Sequence, residues 1–543
     1  MVGSIKGSGI GTNLAFTPTQ AAHQTQYGGG MYDGFITKFS PNGEVVWATF
    51  FGGTNDDIIE SITIDENNKI ILSGFTSSSN NISTNDSFRP NLIGNNNSFL
   101  SKFSENGALI WSTYLTDLDN FSSSGADSST LTNTSVTTNS NNDIFVQSVT
   151  GEDNQATPNT FQTDRQSAKS LISKFSPLGV RLWSTYYGIN ESYLSGLCVN
   201  QSGLYVSGRA SSCNTTSTNY FATANCYQTE NFGECGIPFI SKFNLAGQRE
   251  WSTYFGGNNI QDDIITSNSI KCFGDNVYFT GKTYNDSGIA TIGSFQGIKD
   301  FEYGNYLVNF NSNGQKIWGT YFGLNILNNY ITIQNTLKID MLGNIYISGV
   351  TNFQNNISTL GCFQDIIVFT QPIYNLDAFA MKFNNNGERI WGTYFGGISP
   401  EYYADIIPFD NYFYIYGFTQ SMSGISTANA LQPNYNTNGI ESFYDSNIFL
   451  SRFDLTQLSN PKFDKNSFSI FPNPNSGRFT ISFNNFASEN SNLELYDLVG
   501  HKIMTQKLNT TDTIIETENL STGIYFAKIS SENGSITKKI IIE

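Results

Sequence analysis

The chain has 543 residues and a formal charge of −17, with 28 Lys and Arg set against 45 Asp and Glu. Aromatic residues (43 Phe, 28 Tyr and 6 Trp) outnumber charged ones, a balance that excludes coiled coil and disorder and favours aromatic-rich β architecture. The acidic surface excludes nucleic acid as a partner, since no basic run exceeds Lys538-Lys539, and no apolar window approaches the length of a transmembrane segment.

In chain order the first informative element is a β-hairpin, Phe35-Ile-Thr-Lys38-Phe39 followed by the turn Pro41-Asn42-Gly43 and a strand through Trp47 that ends at Gly52-Gly53. A third strand, Ile62 to Asp65, leads through a polar turn into a fourth, Ile70 to Gly74. The unit then recurs with a mean period of about 69 residues. Lys102-Phe103, Lys174-Phe175, Lys242-Phe243, Asn309-Phe310 and Lys382-Phe383 each precede a Gly placed four residues before Trp111, Trp183, Trp251, Trp318 and Trp391. All six Trp thus fill one structural role, and a seventh start, Phe449 to Phe453, lacks both turn glycine and Trp. Four strands per repeat and a long Ser/Thr/Asn-rich connection predict an all-β fold, a β-propeller over residues 1–459, with a β-solenoid or a string of small sandwiches as alternatives.

Counting strand types gives seven Lys/Arg/Asn-Phe strands and seven fourth strands, but six Trp strands and six third strands. The expectation is a seven-bladed, N-terminally incomplete ring in which the last blade combines Phe449–Phe453 with a strand from Val2 to Gly7. On that reading the missing strands and an export signal lie upstream of Met1; a genuine start, with an incomplete seventh blade or a six-bladed ring, is the alternative. The first ten residues carry no signal-peptide apolar run.

The repeat resembles the SBBP family of bacterial β-propeller repeats. Asp377-Ala-Phe379-Ala-Met-Lys382-Phe383 and Asp340-Met-Leu-Gly343-Asn344-Ile-Tyr346-Ile-Ser-Gly349 carry the likeness. The second repeat departs most, with Leu115-Thr-Asp-Leu-Asp in place of Phe-Gly-Gly. The resemblance implies a scaffold on exported proteins with no common reaction.

After a linker at 460–466 the period stops, and residues 467–543 show a different β pattern. Phe471-Pro472-Asn473-Pro474 and Gly477 come first, then Leu493-Glu-Leu-Tyr496, then Gly523-Ile-Tyr525, and last Lys538-Lys539-Ile-Ile-Ile-Glu543. In this order they resemble the type A C-terminal sorting domain of the Bacteroidota type IX secretion system, built as a small Ig-like β-sandwich. The resemblance implies a sorting motif at these residues, the type IX machinery as partner, and an extracellular or cell-surface address after passage across the outer membrane. The tail from Phe463 onward holds 9 acids and 7 bases, so most of the negative charge sits on the propeller.

Chemistry is sparse. Only His23 and His501 exist, which excludes a His-based triad or multi-His metal centre on the propeller. Among the carboxylates that follow the Gly-Gly turns, Asp56, Asp57, Asp262, Asp263 and Asp405, the expected role is to accept backbone N–H groups, with calcium binding at Asp57, Asp263 and Asp405 as the second reading and catalysis as the third. No cofactor is expected beyond that calcium. The Lys of each repeat is expected to lie across the neighbouring indole. Six cysteines lack metal-ligand spacing; one disulfide within Cys213, Cys226 and Cys235 is expected, with Cys198 and Cys272 as core thiols. Ligand contact is expected in the irregular stretches Asp117–Thr137 and Ser211–Cys235 and at Tyr402 and Tyr403, whose rings could stack on sugars. The expected function is a non-enzymatic exported binding or adhesion scaffold for an extracellular glycan or protein; a propeller-fold polysaccharide hydrolase or lyase using carboxylates is the runner-up.

Overall fold

A computed structural model describes residues 1–7, 17–118, 134–189, 192–210, 220–230, 236–256, 266–283, 285, 287–299, 304–323, 335–352, 354, 356–368, 376–435, 446–455, 468–483, 491–497, 501–508, 510–517, 520–531 and 534–543. Blade 1 comprises β1 (Val2–Lys6), β2 (Tyr32–Phe39) and β3 (Val45–Phe51). Blade 2 comprises β4 (Asp57–Ile64), β5 (Ile70–Thr76), β6 (Asn97–Phe103) and β7 (Leu109–Asp117). Blade 3 has β8 (Ser135–Thr138), β9 (Ile144–Val149), β10 (Ser170–Phe175) and β11 (Arg181–Tyr187); blade 4 has β12 (Tyr193–Asn200), β13 (Gly203–Ala210), β14 (Ile237–Phe243) and β15 (Arg249–Tyr254). Blade 5 has β16 (Thr266–Phe273), β17 (Asn276–Thr283), β18 (Gly304–Asn311) and β19 (Lys316–Phe322); blade 6 has β20 (Thr336–Ile339), β21 (Ile345–Thr351), β22 (Asp377–Phe383) and β23 (Arg389–Phe395). Blade 7 ends the series with β24 (Glu401–Phe409), β25 (Tyr412–Thr419) and β26 (Asn447–Asp454). Each blade is an antiparallel meander in chain order, four-stranded in blades 2 to 6 and three-stranded in blades 1 and 7.

The sheet boundary falls at the Gly-Gly turn, so each blade runs from a third-type strand to a Trp strand. This phasing corrects the expected pairing at the ends. Val2–Lys6 pairs with β2 inside blade 1, with Val2 opposite Ile36, and Phe449–Phe453 pairs with β25 inside blade 7. Among the described residues, therefore, blade 1 has no third-type strand and blade 7 no Trp strand.

The repeated residues explain how blades join. In five of six hairpins a Lys faces the Trp across the pair, as Lys102 faces Trp111, and in the sixth Asn309 faces Trp318; a bulge follows before the turn in all six. The turn glycine has positive φ, +82° at Gly107 and +78° at Gly314. Its missing side chain leaves room for the Trp of the preceding blade: a Cβ on Gly107 would come 2.9 Å from the Trp47 ring, and one on Gly314 2.9 Å from Trp251. The same indoles donate Nε1–H to a turn carbonyl of the next blade: Trp47 to Glu105 at 3.0 Å, Trp111 to Pro177 at 3.1 Å, Trp183 to Leu245 at 3.0 Å, Trp251 to Ser312 at 2.9 Å and Trp318 to Asn385 at 3.0 Å. The equivalent carbonyl of blade 1, Pro41, accepts from Tyr414 Oη and Arg452 Nη1 of blade 7, both at 2.9 Å. These two bonds join the last blade to the first, and the described residues form a ring of seven blades.

The ammonium groups of the repeat lysines find different partners. Lys102 reaches Asp65 at 2.9 Å and Lys174 reaches Asp143 at 2.8 Å, carboxylates of the third-to-fourth-strand hairpin, whereas Lys38 pairs with Glu105 and Lys242 with Glu250, both at 2.9 Å; Lys382 lies 5.0 Å from the Tyr346 ring centre. Asp65 and Asp340 also accept two turn N–H groups each, at 2.8 and 2.9 Å. The Asp of this hairpin thus holds both its own turn and the repeat lysine.

The tail forms two sheets: β27 (Phe468–Phe471), β28 (Arg478–Phe483) and β31 (Asp512–Glu516) in one; β30 (Lys502–Leu508), β29 (Ser491–Tyr496), β32 (Gly523–Ser531) and β33 (Gly534–Ile542) in the other. Phe468, Phe479, Ile481, Leu493, Leu495, Ile515 and Ile529 fill the space between them. The linker at 460–466 lies outside the described residues.

Candidate functional site

The Gly-Gly turns place acids at two inter-blade seams. At the seam of blades 1 and 2, Asp33 of β2 and Asp57 of β4 meet beside Gly52: a Cβ there would lie 2.6 Å from Asp33 Oδ1 and 2.8 Å from Asp57 Oδ2. At the seam of blades 6 and 7, Asp377 and Glu401 meet beside Gly396 in the same way, with Asp377 Oδ1 and Glu401 Oε2 both 2.6 Å from the corresponding point. All four carboxyls are buried. Asp57 accepts from Gly53 N at 2.7 Å, Ser78 Oγ at 2.9 Å and Thr76 Oγ1. Glu401 Oε1 accepts from Thr419 and Ser421 hydroxyls, both at 2.8 Å. Gln364 Nε2 donates to Asp377 at 2.9 Å, and Gly28 N–H donates to Asp33 Oδ2. Asp33 Oδ1 and Glu401 Oε2 are left without a hydrogen-bond partner.

Burial, reinforced by the neighbouring carboxylate, pushes Asp33 up to about 7 and Glu401 up to about 8; burial likewise pushes Asp57 and Asp377 up to about 6. Each pair therefore keeps a proton to higher pH than an isolated carboxyl would, and the orphan oxygen of one acid lies on the side of the other acid. The groups around Asp57 donate hydrogen bonds to its carboxylate, as a turn acceptor requires. Among the described residues no group of three or more His, Cys, Asp or Glu side chains gathers in metal-binding geometry.

The structure redistributes the residues singled out by sequence. Asp57 is a turn carboxylate, as its spacing from Gly53 implies. Asp262 and Asp263 lie outside the described residues, as do 119–133, Cys213 and Cys235. Asp405 is not the turn acid of blade 7. It lies within β24, bonded to Tyr416 Oη at 2.7 Å and paired across the seam with Lys338 at 3.0 Å. Burial opposes its ionisation, but Lys338 and hydroxyl donors hold it below the usual carboxylate range. The turn position belongs to Glu401, four residues after Gly397, as Asp57 is four after Gly53. Glu401 was legible from spacing once Glu was admitted beside Asp; Asp33 and Asp377, each 24 residues before its partner, were not.

Tyr402 and Tyr403 are both half-buried. The Tyr402 hydroxyl donates to Gln420 Oε1 at 3.3 Å, and Tyr403 packs on Phe418 with ring centres 5.8 Å apart. An open cleft of about 600 Å³ lies instead on the rim between blades 2 and 3, lined by Asp86, Phe88, Trp111, Leu178, Val180 and Arg181. Leu178 and Val180 are exposed where the other repeats carry Asn or Ala and Glu, Gln or Ala. Arg181 lies over Phe88 at 4.5 Å and donates to Gln155 O at 3.0 Å, which fixes one wall.

In the tail, the sorting residues act on the last strand. Asn473 Nδ2 donates to Lys539 O and Ile541 N donates to Asn473 Oδ1, both at 2.8 Å; Asn475 donates to Ile541 O. Pro472 and Pro474 both follow cis peptide bonds, and Gly477 takes a φ of +89°. Tyr525 donates to Ser521 O at 2.8 Å. Lys538 is spent internally, donating to Phe468 O and lying 4.3 Å over that ring, whereas Lys539 is exposed.

These features define an exported protein: a seven-bladed β-propeller carrying a sorting sandwich. Residues 469–543 match the family described as the secretion system C-terminal sorting domain, which directs the chain through the type IX machinery to the cell surface or beyond. No curated protein matches the chain. Among solved structures it is similar to an ulvan lyase bound to a sulfated rhamnose-glucuronate saccharide, with 10% identity, TM-score 0.35, and coverage of 88% of this chain and 92% of the lyase. It is also similar to the Trypanosoma rangeli sialidase, with 8% identity, TM-score 0.33, and coverage of 93% and 86%. No helix among the described residues is long and apolar enough to cross a membrane.

Proposed function

We propose that the chain is an exported, non-enzymatic binding scaffold, with SBBP-type repeats forming the ring and the tail serving only as its address. The observation that carries the reading is the burial of the turn acids: Asp33, Asp57, Asp377 and Glu401 are closed from solvent, and Asp405 is tied to Lys338. A glycosidase or lyase needs carboxylates that reach a substrate oxygen or carbon, and these five do not. The ligand, a polysaccharide or protein at the cell surface, then meets the rim and the inter-strand connections. The cleft between blades 2 and 3 supports that placement, since its apolar turn residues depart from the pattern of the ring.

The test is incubation of the purified chain with a panel of extracellular polysaccharides and surface extracts, read for binding and for product. Binding without new reducing ends or unsaturated uronates, weakened at least tenfold by Leu178→Asp, agrees with the scaffold. Turnover that survives Leu178→Asp and is abolished by Asp57→Asn in a folded variant would establish the hydrolase or lyase in its place.

A further inference from the structure

Two of the six cysteines, separated by 74 positions in sequence, meet at one seam near the axis. The innermost strands of blades 4 and 5, β12 and β16, run side by side in a fixed register that two independent contacts define. Gly196 faces Ile270 so closely that a Cβ on it would lie 3.2 Å from Ile270 Cγ2 and 3.8 Å from Ile270 N. Asn200 Nδ2 donates to Gly274 O at 2.8 Å. Both contacts join residues 74 apart, and the residues midway between them at the same offset are Cys198 and Cys272. Both are free thiols on facing strands of this seam, Cys198 buried and Cys272 half-buried. The approach is close at Gly196, where an added Cβ would ask Ile270 Cγ2 to give by a few tenths of an ångström.

We propose that Cys198 and Cys272 form an inter-blade disulfide in the exported protein, stapling blade 4 to blade 5. The address supplies the setting, since a chain carried through the cell envelope leaves the reducing cytosol. The chemistry requires an external disulfide as oxidant. The Cys272 thiolate attacks it and releases one thiol; Cys198 then loses its proton and displaces the second, so two protein thiols are oxidised and one external disulfide is reduced to two thiols. Burial raises the pKa of the Cys198 thiol, which makes it a poor nucleophile once the seam has closed. The bond therefore forms during folding, before β16 seals against β12. It spans two whole blades' inner edges and constrains a long loop of the unfolded chain. The expected disulfide among Cys213, Cys226 and Cys235 is a separate matter: of the three only Cys226 lies among the described residues, where its thiol meets Gln228 O at 3.2 Å.

The full chain is produced twice, in a reducing cytosol and behind an export leader in an oxidising periplasm. Each batch is denatured without reductant, alkylated and peptide-mapped. The exported batch should yield a linked peptide containing Cys198 and Cys272, with both protected from alkylation, and its thermal midpoint should fall by about 5 °C on reduction. Cys272→Ser should remove both the linked peptide and the reductant-dependent shift at this seam; Cys198→Ala provides the same test at the buried partner should the first variant fold poorly. Recovery of both cysteines alkylated from the exported batch, or of either one bridged elsewhere, overturns the proposal.

Discussion

Five of the seams and the closing seam use the same acceptor and different donors. Between blades 1 and 6 each seam is sealed by an indole lying on the next blade's turn glycine, with its Nε1–H on the turn carbonyl. Between blades 7 and 1 the acceptor, Pro41 O, is still present, but Tyr414 and Arg452 supply the donors, and Gly43 has nothing within 4 Å of where its Cβ would be. Glycine at the turn therefore has two separable causes. Positive φ requires it at every repeat, and the indole requires it only where a Trp strand precedes.

The largest effect should come from separating those causes. Gly314→Ala places a methyl 2.9 Å from the Trp251 ring at φ +78°, whereas Gly43→Ala meets only the strain of φ +86°. The expected losses are about 3 and about 1 kcal/mol respectively. Denaturant unfolding followed by tryptophan fluorescence reads both, since all six indoles belong to the propeller. Equal losses at the two positions would show that the indole contributes nothing to the glycine requirement.

The ring was legible in the sequence because the Gly-x-x-x-Trp spacing is fixed by a contact between blades, which tolerates no drift. Blade phasing was not, since a four-strand period can be cut at any of its turns and only hydrogen-bond pairing chooses the Gly-Gly turn. The sorting domain was legible in the tail, where Asn473 and Asn475 clamp the last strand and so tie the order of the segments to it. The acid pairs were half legible. Spacing from Gly53 identified Asp57, but the partner Asp33 lies 24 residues away, and attention to Asp alone directed the reading to Asp405 instead of Glu401. The meeting of Cys198 and Cys272 required the register of β12 against β16, which no local pattern encodes.

The acid pairs sharpen the comparison differently, as they flank the two three-stranded blades. Their folded-state pKa values lie above those of the unfolded chain, so the folded protein binds more protons over the interval between. Stability from these groups is fully present below about pH 4 and is lost as pH rises through 6 to 8, the values set for Asp57, Asp377, Asp33 and Glu401. Asp405 and Asp65 have lowered values and act oppositely, losing their contribution as pH falls below the carboxylate range. A stability maximum at about pH 4 follows, with a decline of several kcal/mol by about pH 8.5. Glu401→Gln, neutral at every pH and able to keep an acceptor for Thr419 and Ser421, should flatten the alkaline limb while leaving the acid limb unchanged. An unaltered alkaline limb in that variant would place the proton elsewhere.

The smallest effect tests the closing seam itself. Arg452 is exposed, and its guanidinium shares Pro41 O with Tyr414 while lying 5.4 Å over the Tyr412 ring. A solvated charge-assisted bond of this kind contributes about 1 kcal/mol. Arg452→Gln should therefore lower stability by about that amount, and Tyr414→Phe by slightly less, because each leaves the other donor in place. The double variant removes both and should cost more than the sum of the two, since Pro41 O then loses every protein donor. Hydrogen exchange localises the consequence: the amides of β1 and β26, the end-blade strands, should gain exchange rate while those of blades 3 to 5 stay unchanged. Uniform acceleration across all blades would mean that ring closure governs the stability of the whole propeller, and that the Trp-sealed seams cannot hold without it.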